Sequence, residues 1–366
     1  MLTIVIFLLI LGLLVFVHEL GHFISARILG IGVEEFGFGF PPKIFSLKRK
    51  KTIYSINWIP LGGFVRLHGE DGKQKDPESF MVQKAWKRFI VLFSGVFMNI
   101  ILAVVIFIIG FNIGLPSDLS GDLPAGAKVR NAQIQIVEVS ENSAASSIGL
   151  NVGDILLKVN NTAINTIQNA QDLAKQAGEN IVTVEYSRSG KIYSKPVKLQ
   201  KIPGTDRAGL GVALAQTGLV SFSFARAVVQ GILAAFRSLW MIILAFAQII
   251  SDLFTYHKVT ADVAGPVGIA ILTGQVVKLG FVYLIQFAAL LSLNLAIINF
   301  LPIPALDGGR ALFLLIEKFR GKPISQIIEA KIHNTGFAIL LALIVLVTFR
   351  DVFKLNVIQQ IWNKIF

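Results

Sequence analysis

Cysteine is absent from the chain. That excludes disulfides and thiolate ligands, so any metal must be held by histidine, aspartate or glutamate. Charge is scarce as well: only 15% of the 366 residues are Asp, Glu, Lys or Arg, against 54% hydrophobic. With a mean hydropathy of +0.68, this is too apolar for a soluble domain with a polar surface. Histidine occurs only five times, so spacing among the histidines carries weight. No internal repeat or low-complexity tract stands out, and the GPVG at 265–268 lacks the strand-then-helix context of a nucleotide loop.

What is present points to a bilayer. Apolar stretches long enough to cross about 30 Å of hydrocarbon lie near the N-terminus and around 90–113, 279–301 and 332–349. A fifth, 222–254, has two readings. At 100° per residue its Ser223, Arg226, Gln230, Arg237, Gln248 and Asp252 fall within a stripe of roughly 80°. A stripe that narrow fits an interfacial helix on the outer surface, whereas hydropathy alone favours a span with its stripe facing a bundle interior. The net charge of +12 is clustered beside membrane segments, at Lys43, Lys48, Arg49, Lys50 and Lys51 and again at Lys84, Lys87 and Arg88. There the positive-inside rule expects it, so the charge reads as topology and not as a nucleic-acid surface. The first apolar run has no Lys or Arg before it, and its first positive charge is Arg27. It is therefore expected to be a retained helix over 1–30, with its N-terminus outside and its other end cytoplasmic.

The expected organisation follows along the chain. In 31–66, Phe36, Phe38 and Phe40 alternate with Gly37 and Gly39, and Thr52–Ile59 is a second period-two run. This predicts a membrane-associated β-hairpin, dipping into the bilayer edge or only anchoring the chain. A basic approach over 67–89 leads into a helix over 90–114. Residues 115–205 have ordinary charge density, period-two runs and Gly/Asn/Ser turns, the marks of one extramembrane domain. Linker and amphipathic helix are expected over 206–277, then a span over 278–310, a cytoplasmic segment over 311–331, a span over 332–350 and a tail over 351–366. The fold class is thus a polytopic α-helical membrane protein of about four transmembrane helices, with a hairpin, an interfacial helix and one inserted α+β domain. Within that domain, IVEVSENSAASSIGLNVGDILLKVNNTAI followed by VEYSRSG resembles a PDZ domain of the kind appended to bacterial membrane proteases. The resemblance implies a strand edge beside a helix that accepts an extended peptide; the plainer reading is a spacer that blocks access.

The chemistry sits at 18–22, His-Glu-Leu-Gly-His, near the end of the first apolar helix. Residues four apart share a helix face, so His18 and His22 can offer ring nitrogens to one tetrahedral zinc while Glu19 acts on zinc-bound water. A charged Glu19 within a spanning helix costs about 3 kcal/mol, and such groups are seldom decorative. A catalytic zinc takes three protein ligands and keeps one position open. After Leu301 the chain reads PIPALDGGR, and Asp307 is the only Asp, Glu, His, Lys or Arg between Lys278 and Arg310. It is the candidate third ligand, or else a turn aspartate before Gly308 and Gly309. It can reach the metal only if an even number of crossings separates it from His22. His68, His257 and His333 have no partner at ligand spacing and are expected to be loop or interfacial residues.

HELGH in the first helix, the GFGF hairpin with its downstream LGGFVRL, a PDZ-like insert and NFLPIPALDGG together resemble the site-2 protease family of intramembrane metalloproteases, in its bacterial regulator of sigma-E protease branch. The likeness covers nearly the whole chain. By motif it implies His18, His22 and Asp307 as ligands of one Zn2+ per chain and Glu19 as the catalytic glutamate. It further implies Asn294, Asn299, Pro302 and Pro304 as residues that help hold an unwound substrate, with Gly37, Phe38 and Gly39 pairing to the substrate strand. For Asn299, a structural hydrogen bond to a neighbouring helix is the alternative. The implied partners are single-pass transmembrane substrates, such as anti-sigma factors already trimmed outside or remnant signal peptides, together with the lipid bilayer and peptide segments at the PDZ-like domain. The implied location is a bacterial inner membrane, with the PDZ-like domain outside and the active site near the cytoplasmic side. Enteric members carry two PDZ domains and this chain has room for one. The competing readings are a tethered peptide-binding scaffold with a structural zinc, for which a fourth ligand is missing, and an ion pathway, which lacks a chain of ionisable groups.

Overall fold

In the computed structural model the described residues are 2–354, apart from 73, 75, 141, 189, 203–207, 257–263 and 323. They form two compact units, one of Met1–Phe107, Gly231–Val277 and Phe287–Phe366, the other of Ile108–Gln230 with Lys278–Gln286.

Helix α1 (Leu2–Ile28) buries Gly12, Leu14, His18, Gly21, His22, Ser25 and Ala26. From Leu14 onward these positions follow one face of the helix (14, 18, 21/22, 25/26), so both histidines lie on its packed stripe. Strands β1 (Val33–Arg49) and β2 (Thr52–Leu67) follow and fold back on themselves. Phe36 is registered with both Val65 and Tyr54, and Tyr54 with both Phe36 and Leu47. The expected two-stranded hairpin is therefore a small sheet in which each long strand is used twice. Helix α2 (Ala85–Ile113) begins five residues before the expected 90, so Trp86, Lys87 and Arg88 form its first turn. It runs antiparallel to α1, with Gly21 at the closest approach: a Cβ there would collide with the Ser94 carbonyl. Ser25 Oγ and Ser94 Oγ hydrogen-bond at 2.8 Å across the same crossing. Small residues let membrane helices approach this closely.

The inserted domain is built from β3 (Leu115–Asp118), β4 (Lys128–Val139), α3 (Ala144–Ser147), β5 (Ile155–Val159), β6 (Thr162–Ala163), α4 (Ile167–Ala177), β7 (Ile181–Arg188), β8 (Lys191–Lys198), β9 (Gln200–Lys201), β10 (Ala208–Gly209) and β11 (Val212–Ser221). Its main sheet has the order β3-β11-β4-β5-β7-β8. Ile134, Ile136, Leu156, Val182, Val184 and Tyr186 form its core with α4. Thr166 caps α4, its side chain accepting the Asn169 N–H at 3.1 Å, a bond of a kind worth about 1 kcal/mol. The expected boundary at 205 is too early. Strand β11 lies between β3 and β4 in the sheet, and the domain ends at Ser221. Its Ala213, Ala215 and Thr217 blur the alternation that marks the other strands.

Beyond it lie α5 (Phe224–Tyr256), α6 (Pro266–Leu279), α7 (Phe281–Phe300), α8 (Asp307–Arg320) and α9 (Gln326–Lys354). Helix α6 was not expected. Its start is capped from α9, where Asp351 Oδ2 accepts the Gly265 and Gly268 N–H groups at 2.9 and 2.7 Å. By length and composition, α1, α2, α5, α7 and α9 are each able to cross a membrane. The expectation of about four spans thus meets five candidates, the additional one being the segment whose stripe suggested an interfacial helix.

His68, expected to be a plain loop residue, ties the start of the β2–α2 loop to β1. Its Nδ1 is 3.0 Å from Glu34 Oε1 and its Nε2 2.6 Å from Asp76 Oδ2. The hydrogen bond to Asp76, followed by that to Glu34, raises its pKa above the usual 6.5. A raised folded-state pKa contributes stability that is full below the unfolded value and is lost as pH climbs through the folded one. Limited proteolysis within 69–79 should therefore accelerate as pH rises above about 6.5, and His68→Gln should remove that dependence, leaving the loop equally cleavable at either end of the range.

Candidate metal centre and active site

His18 and His22 occupy successive turns of α1, and their Nε2 atoms lie 3.2 Å apart. Asp307, the first residue of α8, brings Oδ2 to 2.9 Å from His18 Nε2 and 3.2 Å from His22 Nε2. A tetrahedral zinc with bonds of about 2.05 Å holds its ligands about 3.3 Å apart, so the three atoms have the spacing of one face of such a site. Among the described residues this is the one group of three or more His, Asp or Glu that could hold a metal ion.

The remaining ring nitrogens test the fit. An imidazole that ligates through Nε2 carries its proton on Nδ1 and needs an acceptor there. His22 Nδ1 lies 2.7 Å from the Val91 carbonyl. His18 Nδ1 faces the amide of Asn99 at 3.4 Å, and Asn99 is fully buried with its Oδ1 unpartnered. A half-turn of that amide presents Oδ1 as the acceptor for the His18 Nδ1–H. The Asn99 carbonyl accepts the Ser292 hydroxyl at 2.8 Å, which ties α2 to α7 at this level. Both Nε2 atoms are thereby left for a metal.

Backbone approach does the rest. A Cβ on Gly95 of α2 would stand 2.5 Å from His22 Nε2 and 2.7 Å from His18 Cε1. One on Gly308 would collide with the Phe300 and Leu301 carbonyls, and one on Gly309 with that of Ile303. The two glycines after Asp307 therefore let the chain fold tightly back on the end of α7 before α8 begins. Asp307 Oδ2 faces both imidazoles, so its carboxylate would complete the donor set. The carboxylate is the form a metal needs.

Glu19 adjoins the cluster, and its Oε2 accepts the Val65 N–H at 3.0 Å. Strand β2 runs along α1 here, with Gly62 against Val15 and Gly63 against Phe16. Gly37 and Phe38 are flanked on both sides, by Phe64 and Ser55 and by Gly63 and Ile56, and the Gly39 carbonyl accepts from Asn57 Nδ2 at 2.9 Å. A Cβ on Gly37 would meet the Phe64 ring and Ser55 Oγ. These residues are the interior of the small sheet and have no free edge. The edge beside Glu19 belongs to Gly62–Val65, which the sequence offered only as part of LGGFVRL.

The other expected positions have mixed placements. Asn299 is half-buried on the last turn of α7, and no side-chain hydrogen bond to it is seen among the described residues. Asn294 bonds back to the Leu290 carbonyl at 2.9 Å, within its own helix. Pro302 is exposed, whereas Pro304 packs against Gly336 of α9. His257 lies outside the described residues. Asn99 and Gly95 were missed, because a close approach between distant segments leaves no periodic signal. Gly95→Ala should push both imidazoles off the metal. In equilibrium dialysis of the purified protein, zinc content should fall at least about 10-fold with the far-ultraviolet spectrum unchanged.

The family model for peptidase family M50 matches residues 6–343. The chain is 30% identical over 438 residues to the regulator of sigma-W protease RasP of Bacillus subtilis, a match covering 96% of this chain and 99% of that one. It is 30% identical over 441 residues to the zinc metalloprotease RasP of Shouchella clausii, again covering 96% and 99%. Among solved structures, the PDZ domain of the SdrC-like protein of Listeria monocytogenes matches 24% of this chain and 92% of that domain, at 22% identity and a TM-score of 0.22. The chain belongs to peptidase family M50, the site-2 proteases, and is a membrane-embedded zinc metallopeptidase.

Proposed function

We propose that the protein hydrolyses peptide bonds within transmembrane segments of other membrane proteins, with His18, His22 and Asp307 holding the zinc and Glu19 as the proton carrier. One observation carries this reading: the three donor atoms and Glu19 meet inside the packed stripe of an apolar helix, next to a strand edge. A transmembrane helix hides its peptide groups in its own hydrogen-bond ladder, so it must be unwound before water can attack, and an unwound segment in lipid needs replacement partners. The Gly62–Val65 edge supplies them by strand addition. Zinc, when bound, supplies a Lewis acid that lowers the pKa of water and polarises the scissile carbonyl. Glu19 lies within reach to accept the proton of the attacking water and return it to the leaving amine. Asn299, with its amide free on the last turn of α7, is the candidate for a side-chain hydrogen bond to the unwound segment.

In the inserted domain, Ile167, Ala170 and Ala174 of α4 face Leu210, Val212 and Leu214 across a cleft of about 400 Å³. It is the proposed site for an extended peptide segment. The anti-sigma factors and remnant signal peptides implied by resemblance remain the substrate proposal.

Helix α5 we read as interfacial, for a reason of geometry. Helix α2 runs toward the N-terminal end of α1, and the Phe222 N–H bonds the Phe111 carbonyl at 2.9 Å, so α5 begins where α2 ends. Helix α6 places Gly274 against Thr3 of α1 and takes its cap from Asp351 of α9. Thr3 is about 22 Å along α1 from His18, and Asp351 is about 22 Å along α9 from Gly336. Both therefore lie at the end of the bundle where α2 finishes. A single unbroken helix that starts and ends on one side crosses zero times or twice, and 33 residues, about 50 Å, cannot cross twice. The steps from Tyr256 to Ala264 reach at most about 28 Å, too short to bring the chain back through the hydrocarbon. With α5 along the outer surface, α2 and α7 are the two crossings that return Asp307 to the side of His22.

Incubation of the purified protein with a reporter transmembrane segment should give specific cuts that stop on chelation. Glu19→Gln should keep its zinc and lose at least about 10³-fold in cleavage, whereas His18→Ala and His22→Ala should lose both zinc and cleavage. Peptide binding without cuts by the zinc-loaded protein would instead point to the scaffold. Because the native chain has no cysteine, Ser223→Cys and Ala264→Cys can be labelled cleanly. Both should react with an impermeant maleimide from the outer side, and reaction from opposite sides would refute the interfacial placement.

A further inference from the structure

Ala305 stands two residues before Asp307 with φ of 82°. Among the described residues the other non-glycine positions with positive φ are Lys50 and the asparagines 131, 142, 160 and 161. Asparagine is enriched in that region because its short amide bonds locally. Alanine has no such help, and a conformation of this kind is strained and persists only where the surroundings enforce it. The conformation matters, since it sets the direction in which the PIPALDG segment enters α8 and thus where Asp307 points.

The enforcing groups lie on α9. His333 Nδ1 accepts the Ala305 N–H at 2.9 Å. One turn on, Gly336 packs directly beneath Pro304, whose carbonyl oxygen would lie 2.8 Å from a Cβ at that position. The ring of Phe313 on α8 rests 5.3 Å from the His333 ring, at 48°. The body of α8 is held separately, by the ion pair of Arg310 with Glu70 and that of Arg88 with Glu317 at 3.1 Å. To accept from a backbone N–H, Nδ1 must be unprotonated, which puts the ring proton on Nε2. Nε2 is buried without a hydrogen-bond partner, 4.0 Å from Glu329 Oε1. A ring present only to fill space would not be turned so that one nitrogen serves the turn while the other goes unsatisfied.

We infer that His333 is a positioning residue for the metal centre, fixing through Ala305 the turn that delivers Asp307 to His18 and His22. The inference rests on the reading of those three residues as the zinc ligands. In the sequence His333 has no partner at ligand spacing; in the fold its partner is a backbone N–H.

The test is zinc affinity of the full-length protein in detergent, measured by chelator competition, for Asp307→Ala, His333→Ala, His333→Asn, Ala305→Gly and the Ala305→Gly/His333→Ala pair. An asparagine oxygen can stand where Nδ1 stands, so His333→Asn should stay within a few-fold of wild type, while His333→Ala should weaken zinc by about 10- to 100-fold. Glycine adopts positive φ without strain, so His333→Ala should weaken zinc far less in the Ala305→Gly background than alone. If Asp307→Ala keeps wild-type affinity, the metal-centre reading itself fails. If Asp307→Ala loses zinc but His333→Ala does not, or if His333→Asn is as weak as His333→Ala, the positioning role is overturned. Should His333→Ala not fold, the asparagine variant decides, since retained affinity supports the role and lost affinity refutes it.

Discussion

Two imidazole nitrogens and a carboxylate oxygen meet within 3.2 Å of one another although the chain separates His18 from Asp307 by 289 positions. Bringing these donors together inside an apolar bundle is costly unless a cation joins them, because Glu19 adds a second carboxylate to the same low-dielectric region. A divalent ion among them would offset both acids and fix the imidazoles. The packed stripe of α1, the crossing of α2 and the turn into α8 can each be understood as a means of holding that convergence.

The means is repeatedly the removal of a side chain. Gly21 admits the backbone of α2, Gly95 leaves room for the two imidazoles, Gly308 and Gly309 allow the chain to double back on α7, and Gly336 admits Pro304. Between membrane helices apolar burial supplies little net drive, since lipid is as apolar as leucine, and close packing of small residues replaces it. Hydroxyls and amides then set the register, Ser25 to Ser94 and Ser292 to the Asn99 carbonyl. The polar groups around the centre are thus also the ones that lock its helices together, so ligand geometry and helix packing form one problem.

Much of this was legible in the sequence, for reasons that differ by residue. The spacing of His18 and His22 is a helical fact, visible because one turn brings them to one face. Asp307 stood out by the scarcity of ionisable residues around it. Apolar runs located α1, α2, α7 and α9, with errors of a few residues where basic first turns such as Lys87 and Arg88 disguised a helix start. What stayed hidden depends on proximity between distant segments. Nothing periodic marks Gly95, Asn99 or the edge at Gly62–Val65, and the alternating glycines and phenylalanines of Gly37–Phe40 drew attention to a strand that is interior to its sheet. Strand β11 was cut from its domain because its alanines and threonine weaken the alternation, although it lies between two partners.

The distribution of polar groups bears on which chemistry the centre supports. An ion or proton route would need polar side chains on both sides of the cluster. On one side they are plentiful: Arg88, Glu70, Arg310, Glu317, Glu329 and His333 all lie on or beside the helix ends that carry the PIPALDG turn. On the other side α1 from Leu2 to Val17 has a single polar residue, Thr3, and α2 beyond Asn99 has only Asn112. Helix α9 from Phe337 to Val347 has none. Charged side chains are thus gathered on one face of the cluster, and residues 2–17, 100–113 and 337–347 on the other carry none. Three donors that could hold one metal ion, with a further carboxylate beside them, are the groups that hydrolysis of a peptide bond requires.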